Sequence, residues 1–565
     1  MKVELMEEIE NHLQGIYGEV GSEVLNKFER LIEHWVKKEW AKPAPLTEEN
    51  TYLITYGDSI YEPGQDTLPT LHHFLKEEVG ETITDVHLLP MFPYTSDDGF
   101  SVMDYRNIHP DLGEWEDIHQ FSKDYRLMFD FVANHMSQSS EWFQKYLEND
   151  PLYKKFFIPK DEDFDWRNVV RPRTSPLYHE YKAHDEVKTA WTTFSKDQVD
   201  LNFENPDVLI QMTEILLSYA YQGGTSIRLD AIGFIWKESG TICIHLPQAH
   251  AIIQLWNTVI NAFQPNTQII TETNVPHEEN ISYFGDGKNE ANMVYQFTLP
   301  PLVLYSFMKH DAKKLTEWAK TINKVSDEAT YFNFLASHDG IGMRPTEGLL
   351  SDNEKQELVD QVKANGGEVS YKSNPDGSQS VYELNINYSE ALKNKNEDIT
   401  EEDEVHKMLA AHSILLSVIG VPAIYYHSLL GSKNDKEGME RSGIPRRINR
   451  EKLMIDTIRE ELHTNSRRSK IFKGLQTMIK LRKEEGAFSP YARQEVMDLD
   501  SRLFALKRIH PDSCEEVFFV VNTSREEVEV TLPFRGKDLF LNKKVEGTIL
   551  LPCYGYTWIK KEEGI

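Results

Sequence analysis

Three acidic residues, far apart in the chain, stand where short strand-like runs end: Asp230, Glu272 and Asp339. Asp230 closes Ser226-Ile227-Arg228-Leu229-Asp230-Ala231, in which apolar Ile227 and Leu229 alternate with Arg228 and Asp230. That is the period of a strand with two unlike faces. Gly223-Gly224 separates it from a helix-like run. Arg228 and Asp230 share a face, and inside a protein such a face is costly unless the charges pair or do chemistry. A structural ion pair would account for this strand taken alone, but it would not account for the same pattern elsewhere.

The pattern recurs. Ser96-Asp97-Asp98-Gly99-Phe100 follows one apolar run, and Asp130-Phe131-Val132-Ala133-Asn134-His135 ends another. Glu272-Thr273-Asn274 and Ser337-His338-Asp339 end two more. Two carboxylates on neighbouring strands suit glycosyl transfer with retention, one attacking the anomeric carbon and the other shuttling the proton, about 5–5.5 Å apart. Asp230 is the expected nucleophile, held ionised by Arg228. Glu272 is the expected acid/base, its pKa raised by neighbouring acids. Asp339 is expected to clamp sugar hydroxyls and stabilise the oxocarbenium-like transition state. His135 and His338 would donate to sugar hydroxyls, and Asp130 and Asn134 would brace the mouth.

These residues need a fold that gathers strand ends. Eight candidate strands are legible: Tyr52–Tyr56, Ile83–Pro90, Arg126–Val132, Ser226–Ala231, Gln268–Glu272, Met293–Tyr295, Tyr331–Leu335 and Ala423–Tyr426. Helical stretches between them imply parallel pairing, and eight such strands close a (β/α)8 TIM barrel, an α/β fold whose strand C-termini meet at one mouth. The barrel is expected in three parts, 49–137, 194–342 and 403–484. Two excursions, 138–193 (an inserted B domain) and 343–402 (a lid and acceptor-loop region), leave from strand ends and are candidate substrate lids. An N-terminal helical extension spans 1–48, with apolar positions from Leu5 to Trp35 at helical spacing and Pro43 and Pro45 closing it. A C-terminal β-sandwich domain, 485–565, contains Val517–Val521 and the alternating Val528–Leu532.

Composition narrows the partners. The 565 residues call for more than one domain. A formal charge of −30 argues against a nucleic-acid partner, which needs a basic face. Three scattered cysteines, Cys243, Cys514 and Cys553, show neither a disulfide framework nor metal spacing. Met1–Glu8 lacks an apolar signal core, and the apolar run 409–426 is broken by Gly420 and Pro422, so a cytoplasmic protein without a membrane span is expected. No metal or nucleotide motif is present, and no cofactor is expected. The oligomeric state is not legible.

The strand-end clusters resemble, in order, the four signature regions of the α-amylase family, glycoside hydrolase family 13: Asp130–His135, Arg228–Ala231, Glu272 and His338-Asp339. Leu53–Asp58, His87–Pro90, Asn134–Ser137, Arg171-Pro172-Arg173, Phe194 with Gln198-Val199-Asp200, and Gly340–Gly342 are similar to its sucrose phosphorylase-like subfamily. Thr271–His277, Phe332–Ile341 and Asn374–Gly377 resemble the glucosylglycerate phosphorylases. The resemblance implies a hexosyltransferase acting by double displacement on 2-O-α-glucosylglycerate and inorganic phosphate, giving α-glucose 1-phosphate and glycerate. It implies a glucose subsite of Asp97, Phe100, His135, Arg228, His338 and Arg446, with Phe100 as an aromatic platform; Phe194 and Gln198 join the substrate-binding residues. Arg171-Pro172-Arg173 offers two guanidiniums on a stiff loop, suited to a bidentate oxyanion, or else to surface ion pairs. By the resemblance Arg173 is the better candidate of the two for phosphate. Lys372, Arg344 and Arg173 are the cations open to the acceptor carboxylate. Phosphorylases of sucrose, sucrose 6′-phosphate or glucosylglycerol, and a hydrolase, would use the same carboxylates. A non-catalytic sugar-binding barrel would be expected to lack them.

Overall fold

A computed structural model describes residues 2–562. Eight parallel strands form a closed barrel: β1 Tyr52–Thr55, β2 Asp85–Leu88, β3 Arg126–Phe131, β4 Gly224–Leu229, β5 Gln268–Thr271, β6 Met293–Tyr295, β7 Thr330–Asn333 and β8 Val421–Tyr425. They follow one another around the barrel in chain order, and β8 pairs with β1. This is the (β/α)8 fold expected from the eight runs. Each run is short and buried almost throughout because one side packs against surrounding helices and the other fills the barrel. Across that interior the Tyr52 hydroxyl meets the Ser226 hydroxyl at 2.8 Å.

Local chemistry fixes the entry to β4. Asn205 caps the helix Pro206–Tyr221, its side chain accepting from the Asp207 N–H, and Pro206 occupies the first turn, where no backbone donor is needed. Gly223, at φ 117°, turns the chain out of the helix into the strand. The register then sets Arg228 beside Asp130 on β3 and Ile270 on β5.

The two excursions fold over the strand C-termini. Residues 138–193 form the helix Glu141–Leu147 and the hairpin Tyr178–Ala183 with Glu186–Trp191. The second carries the helix Asp352–Ala364 and a three-stranded sheet of Ile341–Gly342, Gln379–Asn385 and Glu368–Ser373. The tract Asn374-Pro375-Asp376-Gly377 is the turn of that hairpin, closed by the Gly377 N–H on the Asn374 carbonyl at 3.0 Å, with Gly377 at φ 83°. Glu401 and Glu402 belong to the following helix, Glu401–Ser417, rather than to the lid.

N-terminal helices Lys2–Tyr17 and Ser22–Trp35 pack on the barrel, the first against helix Pro247–Phe263. Trp35, Trp40, Tyr221 and Phe263 form a ring cluster there. The C-terminal region holds a six-stranded antiparallel sheet and a two-stranded one around a separate apolar core that includes Phe518, Val530 and Ile559. Buried Arg482 and Arg508 bridge the segments by donating to backbone carbonyls, Leu416 and Phe488 for one and Ser417 and Ser489 for the other. No helix among the described residues is long and apolar enough to cross a membrane.

Candidate active site

The C-terminal ends of β3, β4, β5 and β7 open into one cavity of about 270 Å³, lined among others by Asp97, Phe100, His135, Asp230, Glu272, His338, Asp339 and Arg446. The three carboxylates predicted to work together therefore share one pocket. Asp230 and Glu272 continue neighbouring ladders: the Asp230 N–H donates to the Phe131 carbonyl, and the Glu272 N–H to the Leu229 carbonyl, each at 3.2 Å. Directly after Asp230 the chain turns left-handed at Ala231, φ 47° and ψ 32°. That conformation is rare for a residue with a Cβ and aims the Ala231 N–H at Glu272 Oε2, 2.9 Å away.

Arg228 lies behind the carboxylates, 1% exposed, rather than on the cavity wall where the sequence reading put it. Its Nη1 donates to Asp130 Oδ1 at 2.5 Å and to Asp230 Oδ1 at 2.8 Å, and its Nε donates to the Tyr295 hydroxyl at 3.0 Å. Nη2 stands 3.9 Å from Glu272 Oε2. Asp130 also meets His87 Nε2 at 2.6 Å. Burial works against the charge on Asp130, but Arg228 and then His87 hold its carboxyl below the usual range. The brace expected of Asp130 is thus a His87–Asp130–Arg228 chain. Asn134 is tied to Asp200, which Lys237 pairs at 2.7 Å.

The electrostatics grade the acids. Burial pushes both Asp230 and Glu272 up to about 7, with Arg228 pulling each back. Asp230 touches the guanidinium and Glu272 does not. A proton shared by the pair therefore rests on Glu272, leaving Asp230 the charged member. Asp339 differs. Burial raises it, but Arg446 at 2.7 Å, His338 at 3.3 Å and Arg450 at 3.6 Å hold it well below the carboxylate range.

Around these acids the predicted sugar-binding residues converge. Phe100 and His338 stack with centroids 4.8 Å apart and planes 3° from parallel. His135 Nε2 contacts the Phe100 carbonyl at 3.0 Å, and Gln198 Nε2 donates to the same carbonyl at 3.2 Å and to Asp97 Oδ2 at 3.1 Å. Phe194 lies against His135, centroids 5.3 Å apart. Burial lowers both His135 and His338, which favours the neutral imidazole in each.

Several partners escaped the sequence reading. Glu383, from the lid sheet, grips Arg446 with both oxygens at 2.8 and 3.0 Å. Asp98 binds Arg450 at 2.8 Å and Arg447, anchoring a turn in which Asp97 and Asp98 both have left-handed φ, 52° and 49°. The signal was available in Arg446-Arg447-Ile448-Asn449-Arg450: three arginines in five residues require carboxylates nearby.

The expected cations also line the cavity, on opposite lids. Arg173 lies between two rings, its Cζ 5.3 Å from the Phe194 centroid and 5.1 Å from that of Tyr382. Its hydrogen bond goes to the Pro172 carbonyl at 3.1 Å, and no carboxylate pairs with it among the described residues. Arg171 turns instead to the Ser175 carbonyl, so the loop does not offer its two guanidiniums alike. Arg344 and Lys372 sit on the lid after β7.

Comparison with known proteins agrees with this geometry. The catalytic-domain model of the alpha-amylases matches residues 77–365. The chain is 46% identical over 530 residues to a glucosylglycerate phosphorylase of Spirochaeta thermophila, covering 92% of this chain and 90% of that one. It is 42% identical over 540 residues to a glucosylglycerate phosphorylase of Escherichia coli, covering 95% of each. A solved sucrose 6F-phosphate phosphorylase from Thermoanaerobacter thermosaccharolyticum superposes with a TM-score of 0.74 at 25% identity, covering 89% of this chain and 98% of that one.

Proposed function

Because the chain belongs to the α-amylase family, we propose that it is a retaining phosphorylase converting 2-O-α-glucosylglycerate and inorganic phosphate into α-glucose 1-phosphate and glycerate. A carboxylate oxygen of Asp230 attacks the anomeric carbon while Glu272 gives its proton to O2 of the glycerate. The bond from C1 to O2 breaks, the bond from C1 to Asp230 forms, and glycerate leaves with a neutral hydroxyl. A phosphate oxygen then attacks C1 from the vacated side, Glu272 takes back the proton that oxygen carried, and Asp230 is released. Two inversions give retention.

Each role has support in the pocket. Contact with Arg228 keeps Asp230 charged and aimed. Burial keeps Glu272 protonated near neutrality. The ionised Asp339, fixed by Arg446, suits the positive charge that builds at C1. His338, with Asp97 and Gln198, supplies donors and acceptors for sugar hydroxyls, Phe100 a flat apolar wall, and His135, held by the Phe100 carbonyl and Asn134, a further wall of the subsite.

The observation that carries the reading is the presence in one cavity of a graded carboxylate pair and of Arg173, a guanidinium without a carboxylate partner among the described residues. A hydrolase has no use for that cation, whereas phosphate needs it to compete with water. Phe194 and Tyr382 cover its faces, which shields it and strengthens its pull on an anion. The test is α-glucose 1-phosphate formation from glucosylglycerate, glucosylglycerol and sucrose, side by side with phosphate. The glycerate compound should exceed the others in kcat/KM by at least about tenfold. Preference for sucrose or glucosylglycerol would overturn the assignment.

A further inference from the structure

Arg344 and Lys372 line the same cavity from the lid after β7, across from Arg173 on the lid after β3. Lys372 lies on the lid strand Glu368–Ser373 and is half-buried. Its polar contact is Asn374 Oδ1 at 3.4 Å, and no carboxylate pairs with it among the described residues. Arg344 opens the turn Arg344–Thr346. Among the described residues its buried Nε has no hydrogen-bond partner, and Glu347 Oε1 stands 3.8 Å from it. Its Nη2 stands 3.9 Å from Glu279 Oε2, an oxygen already engaged by His245 Nε2 at 3.0 Å.

We propose that Arg344 and Lys372 form the clamp for the acceptor's carboxylate, separate from the phosphate residue Arg173, and that they set the preference for a hydroxy acid over a neutral polyol. The inference rests on the phosphorylase reading above. Two like charges withdrawn from solvent, Lys372 without a carboxylate partner among the described residues and Arg344 held only at 3.8 and 3.9 Å, cost free energy that a bound anion would recover. Burial, and then the charge of Arg344, lower the Lys372 ammonium, and an anion between the two would offset both effects. Glu279 and Glu347 offset part of the Arg344 charge, so the clamp suits a monoanion. A dianionic phosphoryl group would meet those two acids, whereas Arg173 has no carboxylate partner among the described residues.

The experiment compares three reactions of α-glucose 1-phosphate: glucosyl transfer to glycerate, transfer to glycerol, and arsenate-dependent release of glucose, which needs no acceptor. Lys372→Met and Arg344→Gln should each lower kcat/KM for glycerate by about 10- to 100-fold. Transfer to glycerol and arsenolysis should fall several-fold less, and Lys372→Arg should recover most of the glycerate activity. Equal losses in all three reactions, or no loss with glycerate, would overturn the clamp. A parent enzyme that arsenolyses α-glucose 1-phosphate yet ignores glycerate would overturn the acceptor assignment and the clamp with it. A parent that fails at arsenolysis would overturn the phosphorylase reading itself.

Discussion

The backbone N–H of Ala231 donates to Glu272 Oε2 across 2.9 Å, so the residue following one proposed catalytic carboxylate holds the other. This tie requires Ala231 at φ 47°, which fixes the two acids relative to each other through the main chain rather than through mobile side chains. Contact with Arg228, which reaches Asp230 at 2.8 Å but stands 3.9 Å from Glu272, adds the second constraint by setting the order in which the acids ionise.

That order predicts the pH profile. Glu272 is raised to about 7, so its proton is present below that pH and lost above it. With glucosylglycerate, kcat/KM should fall as pH rises above about 7, and Glu272→Gln should remove that alkaline limb. The variant should lose far more with glucosylglycerate than with α-glucose 1-phosphate. An alkoxide leaves poorly without a proton, whereas phosphate, with a second pKa of about 6, leaves well unaided. An alkaline limb that persists in Glu272→Gln would assign the proton to another group.

Asp230→Asn keeps the shape of the side chain but removes the attacking charge. Phosphorolysis should fall by about 10⁴-fold or more, in kcat and kcat/KM alike. Mass spectrometry of the parent enzyme trapped with a fluorinated glucosyl donor should place the sugar on the peptide carrying Asp230. Label on Asp339 or Glu272 would refute the assignment.

Asp339 depends on Glu383 at one remove, through Arg446. Glu383→Gln should free the guanidinium to shift and lower kcat by about 10- to 100-fold with a smaller change in KM. Gly340→Ala tests the same tie sterically, because its Cβ would meet the Glu383 side chain at 2.8 Å. The two variants should behave alike; a normal kcat in Glu383→Gln would show that Arg446 holds its place without it.

Asp98 anchors Arg450, which is buried, and Arg447. Asp98→Asn leaves both arginines underpaired and should cost on the order of 3 kcal/mol in urea unfolding. The left-handed turn at Asp97 would loosen with it, so KM for the glucoside should also rise. Loss of stability without any change in KM would confine Asp98 to a structural role.

The barrel and its acids were legible because both rest on local pattern. Ser226–Ala231 declares a two-faced strand within six residues, and a parallel barrel brings all such ends to one mouth. What was not legible depends on how the lids close. Glu383 is 63 residues from Arg446, and Asp98 is 352 from Arg450. No spacing rule links residues that meet only when a hairpin folds over the barrel. Arg228 illustrates the other limit: alternation gave its face correctly, but not its depth, which the Asp130 and Tyr295 contacts determine.

The most direct test follows the fate of the glucosyl group. The enzyme is incubated with 2-O-α-glucosylglycerate with and without phosphate, and products are resolved by proton NMR. With phosphate, α-glucose 1-phosphate should form at the rate glycerate is released, with little free glucose; without it, turnover should nearly stop. Free glucose released at equal rates under both conditions, or a β-configured phosphate, would contradict the account.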